Sequence, residues 1–368
     1  MGKYKFIVSG GGTGGHIFPA LSIAGGLRSR FPDCEILFVG AEGKMEMEKV
    51  PAAGFTIIGL PVAGFHRGEI WRNLAFLPKL IQSMLKAKKV VKNFRPDVVI
   101  GVGGYASGPV LRVAEGLGIA TVLQEQNSFA GVTNKILGKK ANKICVAYDK
   151  MDRFFPAEKI VFTGNPIREG LDSIPSKSAE AAEYFSVTPE QPVILIVGGS
   201  LGAHILNQSV LANLELIRQS NVMVIWQTGK YYFCDIQNQM DEKPVTNIRL
   251  MEFIPRMDLA YSLADLVISR AGAGTISELC AVGAASILVP SPNVSEDHQT
   301  FNAMSLVEKD AAILIRDSSA VETLIPEALE LLKDREKCLS LSKNIKKLAT
   351  PHATEDIVDV IATLLKRG

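Results

Sequence analysis

The sequence predicts an α/β protein made of two doubly wound parallel-sheet domains, and three observations predict it. Short runs rich in Val, Ile, Leu and Phe alternate with amphipathic stretches along the chain, the pattern of parallel strands covered by helices on both faces. Near residue 191 the pattern restarts, with a strand that again runs straight into glycines. A length of 368 residues suits two domains of roughly 100–200 residues each.

The first series of strands is expected at 4–9, 35–39, 55–60, 97–102, 120–124 and 143–147. Helical spacing falls between them at 16–30, 72–93, 106–117 and 131–141. Continuous apolar character marks strands buried on both faces. Gln191-Pro-Val-Ile-Leu-Ile-Val-Gly-Gly-Ser200 repeats the design of Lys3 to Gly15, and strands near 221–227, 247–254, 266–270, 286–290 and 311–315 follow it. The stretch 148–192 holds Pro156, Pro166, Pro175, Pro189 and Pro192 and separates the two series, with a hinge expected near Gly164-Asn-Pro166. The tail 351–366 has helical spacing (Ile357, Val360, Ile361, Leu364, Leu365) after Pro351 and suits packing on either domain.

Composition narrows the function. Forty Lys and Arg oppose 38 Asp and Glu, a net charge of +2, which argues against a nucleic-acid binder. With 47% hydrophobic and 21% charged residues, each half can bury a core, so disorder is excluded. The five cysteines show no CxxC spacing and the five histidines no HExxH, so neither a disulfide framework nor a metal site is expected. The apolar run before the first glycines is four or five residues long, too short for a signal peptide. No apolar run reaches the roughly 18 residues of a membrane span. A cytoplasmic location is the expectation. The mean hydropathy of +0.18 is high for such a chain.

The glycine loops carry the chemistry. Gly10-Gly-Gly-Thr-Gly-Gly-His16 follows a strand and opens a helix. Glycines let backbone N–H groups approach a phosphate or sugar, and the helix start favours negative charge. The loop lacks the Lys-Ser/Thr of a P-loop and departs from GxGxxG; a tight βα turn is the alternative. His16, at a helix N-terminus, should be neutral near pH 7 and able to accept a proton; a capping or buried histidine is the plainer reading. Further glycine loops end later strands: Gly101-Val-Gly-Gly-Tyr-Ala-Ser-Gly108, Gly198-Gly-Ser-Leu-Gly202 and Arg270-Ala-Gly-Ala-Gly-Thr-Ile-Ser-Glu278. Ligands of open α/β sheets bind at such strand ends. In the last loop Gly272 to Thr275 would present N–H groups, and Glu278 one turn on suits the vicinal hydroxyls of a ribose, or else is a solvated helix residue. Asn127 ends the strand 120–124, and Gln299 lies just beyond the strand 286–290, where Asp297 could instead cap a helix. No Asp-x-Asp occurs, so helix dipoles, Ser200 and Arg168 would have to neutralise a diphosphate.

Residues 67–95 carry eight cationic side chains against Glu69 alone, a local charge of +7, interleaved with Ile70, Trp71, Leu74, Phe76, Leu77, Leu80, Ile81, Met84 and Leu85. This resembles an interfacial membrane segment; an ordinary surface helix on a sheet is the alternative.

Taken in order, the motifs resemble the MurG family of glycosyltransferases. The matching residues are Gly11-Gly-Thr-Gly-Gly-His-Ile-Phe-Pro19, Gly103-Gly-Tyr-Ala-Ser-Gly-Pro109, and Glu125-Gln-Asn127 with Ala130-Gly131 and Thr133-Asn-Lys135. Gly164-Asn-Pro-Ile-Arg168, Gly198-Gly-Ser-Leu-Gly-Ala203 with Leu206-Asn207, Arg270-Ala-Gly-Ala273, and Asp297-His-Gln299 with Asn302-Ala303 complete the set. Position 300 is Thr where some members carry a second Gln. The resemblance implies a GT-B fold: two Rossmann-like domains, 1–164 and 165–350, face each other across a cleft, and the helix in 351–368 returns to the first. It implies transfer of N-acetylglucosamine from UDP-N-acetylglucosamine to undecaprenyl-pyrophosphoryl-N-acetylmuramyl-pentapeptide, converting lipid I to lipid II in peptidoglycan synthesis.

By the same resemblance the Ile254 backbone would hold the uracil, Glu278 the ribose, Ser200 with Ala273, Gly274, Thr275, Ile276 and Ser277 the diphosphate, and Gln299 the sugar. Thr13, Gly14, Gly15, Asn127 and Arg168 would join the donor site, and His16 would be the base of an inverting reaction needing neither metal nor cofactor. Ile70, Trp71, Arg72, Leu74, Phe76, Leu77 and Lys79 would face an anionic membrane at its cytoplasmic side, with cell-wall synthesis proteins as partners. Three rivals stay open on residues alone. They are another UDP-sugar transferase, an NAD-linked oxidoreductase (residues 30–40 lack the acidic residue this needs), and a nucleotide-sugar-binding regulator.

Overall fold

The computed structural model describes residues 3–62, 76–168, 170–188 and 190–365. The chain divides into two compact units, Met1–Ile167 with His352–Gly368, and Arg168–Pro351. The chain thus crosses between units next to the expected hinge, just beyond Pro166.

The first unit holds a seven-stranded sheet of β1 (Lys5–Ser9), β2 (Glu35–Ala41), β3 (Thr56–Leu60), β4 (Val98–Gly101), β5 (Ala120–Glu125), β6 (Lys143–Val146) and β7 (Ile160–Phe162). The order is β3-β2-β1-β4-β5-β6-β7, with every pairing parallel. Val98 to Gly101 are buried throughout, as a central strand covered on both faces must be. One apolar layer joins Ile7, Val99 and Leu123 to helices on one side, and another joins Phe6, Val8, Ile100 and Val122 on the other. That second layer includes Ile357, Val358 and Ile361 from the Ala353–Ala362 helix, which packs on the Gly14–Arg30 helix. β7 is a seventh strand, lying in the Pro-rich stretch read from sequence as a separator. Two half-buried residues and an exposed Phe162 at a sheet edge carry too little apolar signal to be seen.

The second unit holds β8 (Val193–Val197), β9 (Met223–Gln227), β10 (Ile248–Met251), β11 (Leu266–Ser269), β12 (Ser286–Leu288) and β13 (Ile313–Leu314). The order is β10-β9-β8-β11-β12-β13, again wholly parallel. Trp226 is fully buried, and its ring N–H donates to Asn207 Oδ1 at 3.0 Å, while Asn207 Nδ2 donates to the Thr228 carbonyl at 3.0 Å. The Leu206-Asn207 motif therefore serves the core of this unit.

Along each sheet the strand order reverses at one point, β1/β4 in the first and β8/β11 in the second. At such a reversal the loops leaving the two strands diverge to opposite faces and open a crevice. The four glycine loops noted above follow β1, β4, β8 and β11.

Candidate active site

In the first unit the loops after β1 and β4 are built against each other. Thr13 is the extended N-cap of the Gly14–Arg30 helix (φ −144°, ψ 158°). Its hydroxyl does not close on a backbone N–H but lies 3.2 Å from His16 Nδ1. A neutral imidazole that donates from Nδ1 to that hydroxyl keeps Nε2 as its acceptor nitrogen. The Nε2 edge rests on Gly103, where a Cβ would stand 2.9 Å from both Cδ2 and Nε2. Gly103 has φ +92°, so glycine is required twice there, for conformation and for room.

Two buried carboxylates hold these loops. Glu46 is 1% exposed and accepts from the N–H groups of Gly12 (3.0 Å) and Ala41 (3.0 Å). Glu125 accepts from Asn134 Nδ2 at 2.8 Å, from the N–H groups of Gly131 and Asn127 at 3.1 Å, and from Asn127 Nδ2 at 3.3 Å. Burial holds the Glu125 carboxyl above the usual range, and these donors pull it back. Asn127, half-buried, is thus oriented by Glu125. Gln126 fills the space behind, donating to the Val102 carbonyl at 2.8 Å and to Gln124 Oε1.

In the second unit the Ala273–Val282 helix starts directly behind β11, with extended Gly272 as N-cap and no acidic residue in its first turn. The N–H groups of Ala273, Gly274 and Thr275 have no intrahelical acceptor, the arrangement that lets a helix start take an anion. Ile276 is buried by its side chain and its N–H donates to the Gly272 carbonyl at 2.9 Å, and the Ser277 hydroxyl donates to the Ala273 carbonyl at 3.0 Å. Ser200 is exposed in the loop after β8.

Glu278, one turn into that helix, lies 3.2 Å from Arg168 Nε through Oε1 and accepts from the Tyr261 hydroxyl at 3.0 Å through Oε2. Burial raises its carboxyl above the usual range, and Arg168 and the Tyr261 hydroxyl oppose the rise. Ile254 is wholly buried by its side chain, and its N–H donates to Gln227 Oε1 at 2.8 Å. Gln227 Nε2 in turn donates to the Gly199 carbonyl at 3.0 Å, tying the Ile254 turn to the loop after β8. Gln299 Oε1 accepts from the Ser291 N–H at 2.9 Å, which leaves its amide N–H₂ as the end that can donate to a sugar hydroxyl. Thr300 donates to Asp297 Oδ1 at 2.7 Å.

The residues expected to bind a donor therefore fall in two sets. Thr13, Gly14, Gly15 and Asn127 lie in the first unit, Gly14 and Gly15 opening its Gly14–Arg30 helix; Arg168, Ser200, Ile254, 273–278 and Gln299 lie in the second unit. Sequence reasoning missed Glu46, Gln227 and Tyr261 as groups that fix the others, and quoted Glu125 without a role. Only Glu125 stood inside a motif; the rest are ordinary residues of helices and strands until packing brings them in. Of the residues expected to face a membrane, Ile70, Trp71, Arg72 and Leu74 lie outside the described residues, as do the side chains of Phe76 and Leu77. Lys79 is exposed on the Phe76–Phe94 helix. Among the described residues, no group of three or more His, Cys, Asp and Glu is placed to hold a metal, and no helix is long and apolar enough to cross a membrane.

Two doubly wound units, each with glycine loops gathered at its strand reversal, define a nucleotide-handling α/β enzyme. The models of the glycosyltransferase family 28 N-terminal and C-terminal domains match residues 6–146 and 193–357. The chain belongs to glycosyltransferase family 28. It is 54% identical over 367 residues to the UDP-N-acetylglucosamine–N-acetylmuramyl-(pentapeptide) pyrophosphoryl-undecaprenol N-acetylglucosamine transferase of Parabacteroides distasonis, covering 100% of both chains. With the Bacteroides fragilis transferase of the same name it shares 52% over 366 residues, 99% of this chain and 96% of that one. The crystal structure of Acinetobacter baumannii MurG superposes with a TM-score of 0.78 at 31% identity, covering 98% of this chain and all of that one. The calicheamicin glycosyltransferase CalG4 (TM-score 0.72, 16% identity, 99% of both chains) shares the fold.

Proposed function

We propose that the chain transfers N-acetylglucosamine from UDP-N-acetylglucosamine to the C4 hydroxyl of the N-acetylmuramyl unit of undecaprenyl-pyrophosphoryl-N-acetylmuramyl-pentapeptide, inverting the anomeric carbon. The observation that carries the reading is the half-buried Glu278 carboxylate one turn behind an acid-free helix start, together with relatives of that activity at more than half identity over the full length. The helix start takes the diphosphate, Glu278 the ribose, and the Ile254 turn the base. The Gln299 amide donates to the sugar.

In the reaction the acceptor oxygen forms its bond to the anomeric carbon from the face opposite UDP, and the bond from that carbon to the diphosphate oxygen breaks. The hydroxyl proton passes to His16 Nε2, while the ring's other nitrogen lies 3.2 Å from the Thr13 hydroxyl. Charge growing on the departing diphosphate is met by the N–H groups of 273–275 and by Arg168, which perform the task a divalent ion performs elsewhere.

The test is transfer to a short-chain acceptor analogue. His16→Ala is expected to lower kcat by about 100-fold or more at saturating donor, with UDP affinity kept. A kcat near wild type would remove the base assignment; tight UDP binding with no transfer by the wild-type chain would favour a regulatory binding protein instead.

The same reading places the chain on the cytoplasmic surface of a membrane holding its lipid-linked acceptor. On the Phe76–Phe94 helix Ile81 and Leu85 are 60% and 65% exposed, and Lys88 and Lys92 continue their row at helical spacing. Apolar side chains turned to solvent beside lysines suit an anionic lipid surface better than the packed face of an ordinary covering helix. Cosedimentation with anionic vesicles is expected to fall steeply with salt; binding indifferent to salt and to anionic lipid would overturn this placement.

A further inference from the structure

We propose that Tyr261 is a positioning residue for nucleotide recognition, its buried hydroxyl fixing the Glu278 carboxylate in the orientation that accepts ribose. The inference rests on the reading of Glu278 as the ribose acceptor and adds the group behind it.

The two partners of Glu278 differ in kind. Tyr261 belongs to the Met257–Leu263 helix and is 8% exposed. Its hydroxyl reaches Oε2 at 3.0 Å from the protein side. Arg168 reaches Oε1 at 3.2 Å with a side chain 56% exposed. A ligand arriving from water can displace a solvent-side guanidinium, whose ion pair is worth little in high dielectric. It cannot displace a phenol packed in the core. A glutamate has three rotatable bonds and would otherwise lose that freedom only on binding. The tether at Oε2 removes much of it beforehand, and it leaves Oε1 as the oxygen that exchanges Arg168 for a ribose hydroxyl. Arg168, once released, is a cation free to turn to the diphosphate.

The tether also accounts for a tyrosine at a buried position where phenylalanine would pack as well. A phenol hydroxyl in the core requires an acceptor, and the one it has is the carboxylate oxygen of the proposed ribose site. Burial and the nearby Glu278 charge both favour the protonated phenol, so Tyr261 stays a donor wherever the carboxylate is ionised.

The experiment compares binding of UDP and 2′-deoxy-UDP to the full chain by titration calorimetry, in wild type, Glu278→Gln, Tyr261→Phe and the double variant. Wild type is expected to prefer UDP by about tenfold, as a site built to hydrogen-bond a hydroxyl does. Glu278→Gln should abolish most of that preference. Tyr261→Phe should reduce it by about threefold to fivefold, with 2′-deoxy-UDP affinity nearly unchanged, and the double variant should match Glu278→Gln alone. A general loosening of the fold would weaken both ligands together and leave their ratio intact. Should Tyr261→Phe keep the wild-type ratio while Glu278→Gln loses it, the role of Tyr261 is overturned and the ribose reading stands. Should wild type itself bind the two ligands equally, the ribose reading fails and takes this proposal with it.

Discussion

His16 and Glu278 show how single side chains acquire roles from what stands behind them. His16 is legible in the sequence because glycines surround it, but its orienting partner Thr13 is an N-cap residue that could equally have bonded a backbone N–H. Glu278 is legible by its spacing from a glycine loop, whereas Tyr261, seventeen residues earlier, has no signal beyond an apolar helical face. The raised Glu278 carboxyl gives a pH prediction. Because its acidity is held down by burial, the protonated form persists to a higher pH than in a free glutamate, and that form loses acceptor capacity toward ribose. The groups facing it are Arg168 and Tyr261. KM for UDP-N-acetylglucosamine should therefore rise as pH is lowered from about 8 to about 5, and Glu278→Gln should remove that acidic limb; initial-rate kinetics across pH would check it. Glu46 gives a second. Glu46→Ala leaves the N–H groups of Gly12 and Ala41 without their acceptor, so urea denaturation should register a loss of about 2 kcal/mol.

At the scale of elements, most of both sheets could be read because parallel strands buried on both faces are continuous apolar runs. β7 could not, since three residues at an edge need neither burial nor alternation to pair. The glycine loops were legible as loops, but which loop touches which depends on strand order, and order is a tertiary fact. The contact of the β4 loop with His16 is the sharpest case, since no spacing in the sequence relates Gly103 to residue 16. Gly103→Ala puts a methyl 2.9 Å from the imidazole at φ +92°. It should lower kcat by about tenfold or more through displacement of His16, with a smaller effect on UDP affinity, which the proposed function assigns mainly to residues of the second unit. Steady-state kinetics beside calorimetry would separate the two quantities.

For the whole molecule, a net charge of +2 conceals how the charge is distributed along the chain. The cationic stretch before Arg95 is invisible in the total because the rest of the chain offsets it. The high mean hydropathy has its main source in two sheets covered on both faces, with Ile81 and Leu85 adding apolar surface in water. The terminal helix belongs to the first unit's core, so Ile357→Ala, at a fully buried site, should destabilise the protein by about 2–5 kcal/mol, measured by denaturant unfolding.

The return of that helix also bears on synthesis. A ribosome makes a chain from its N-terminus, and units fold as they emerge. Here the Gly14–Arg30 helix must wait for residues 353–362 to cover it, and the whole second unit is made in between. Throughout that interval the nascent first unit carries an apolar surface with no cover from its own chain. It is finished last although it is begun first.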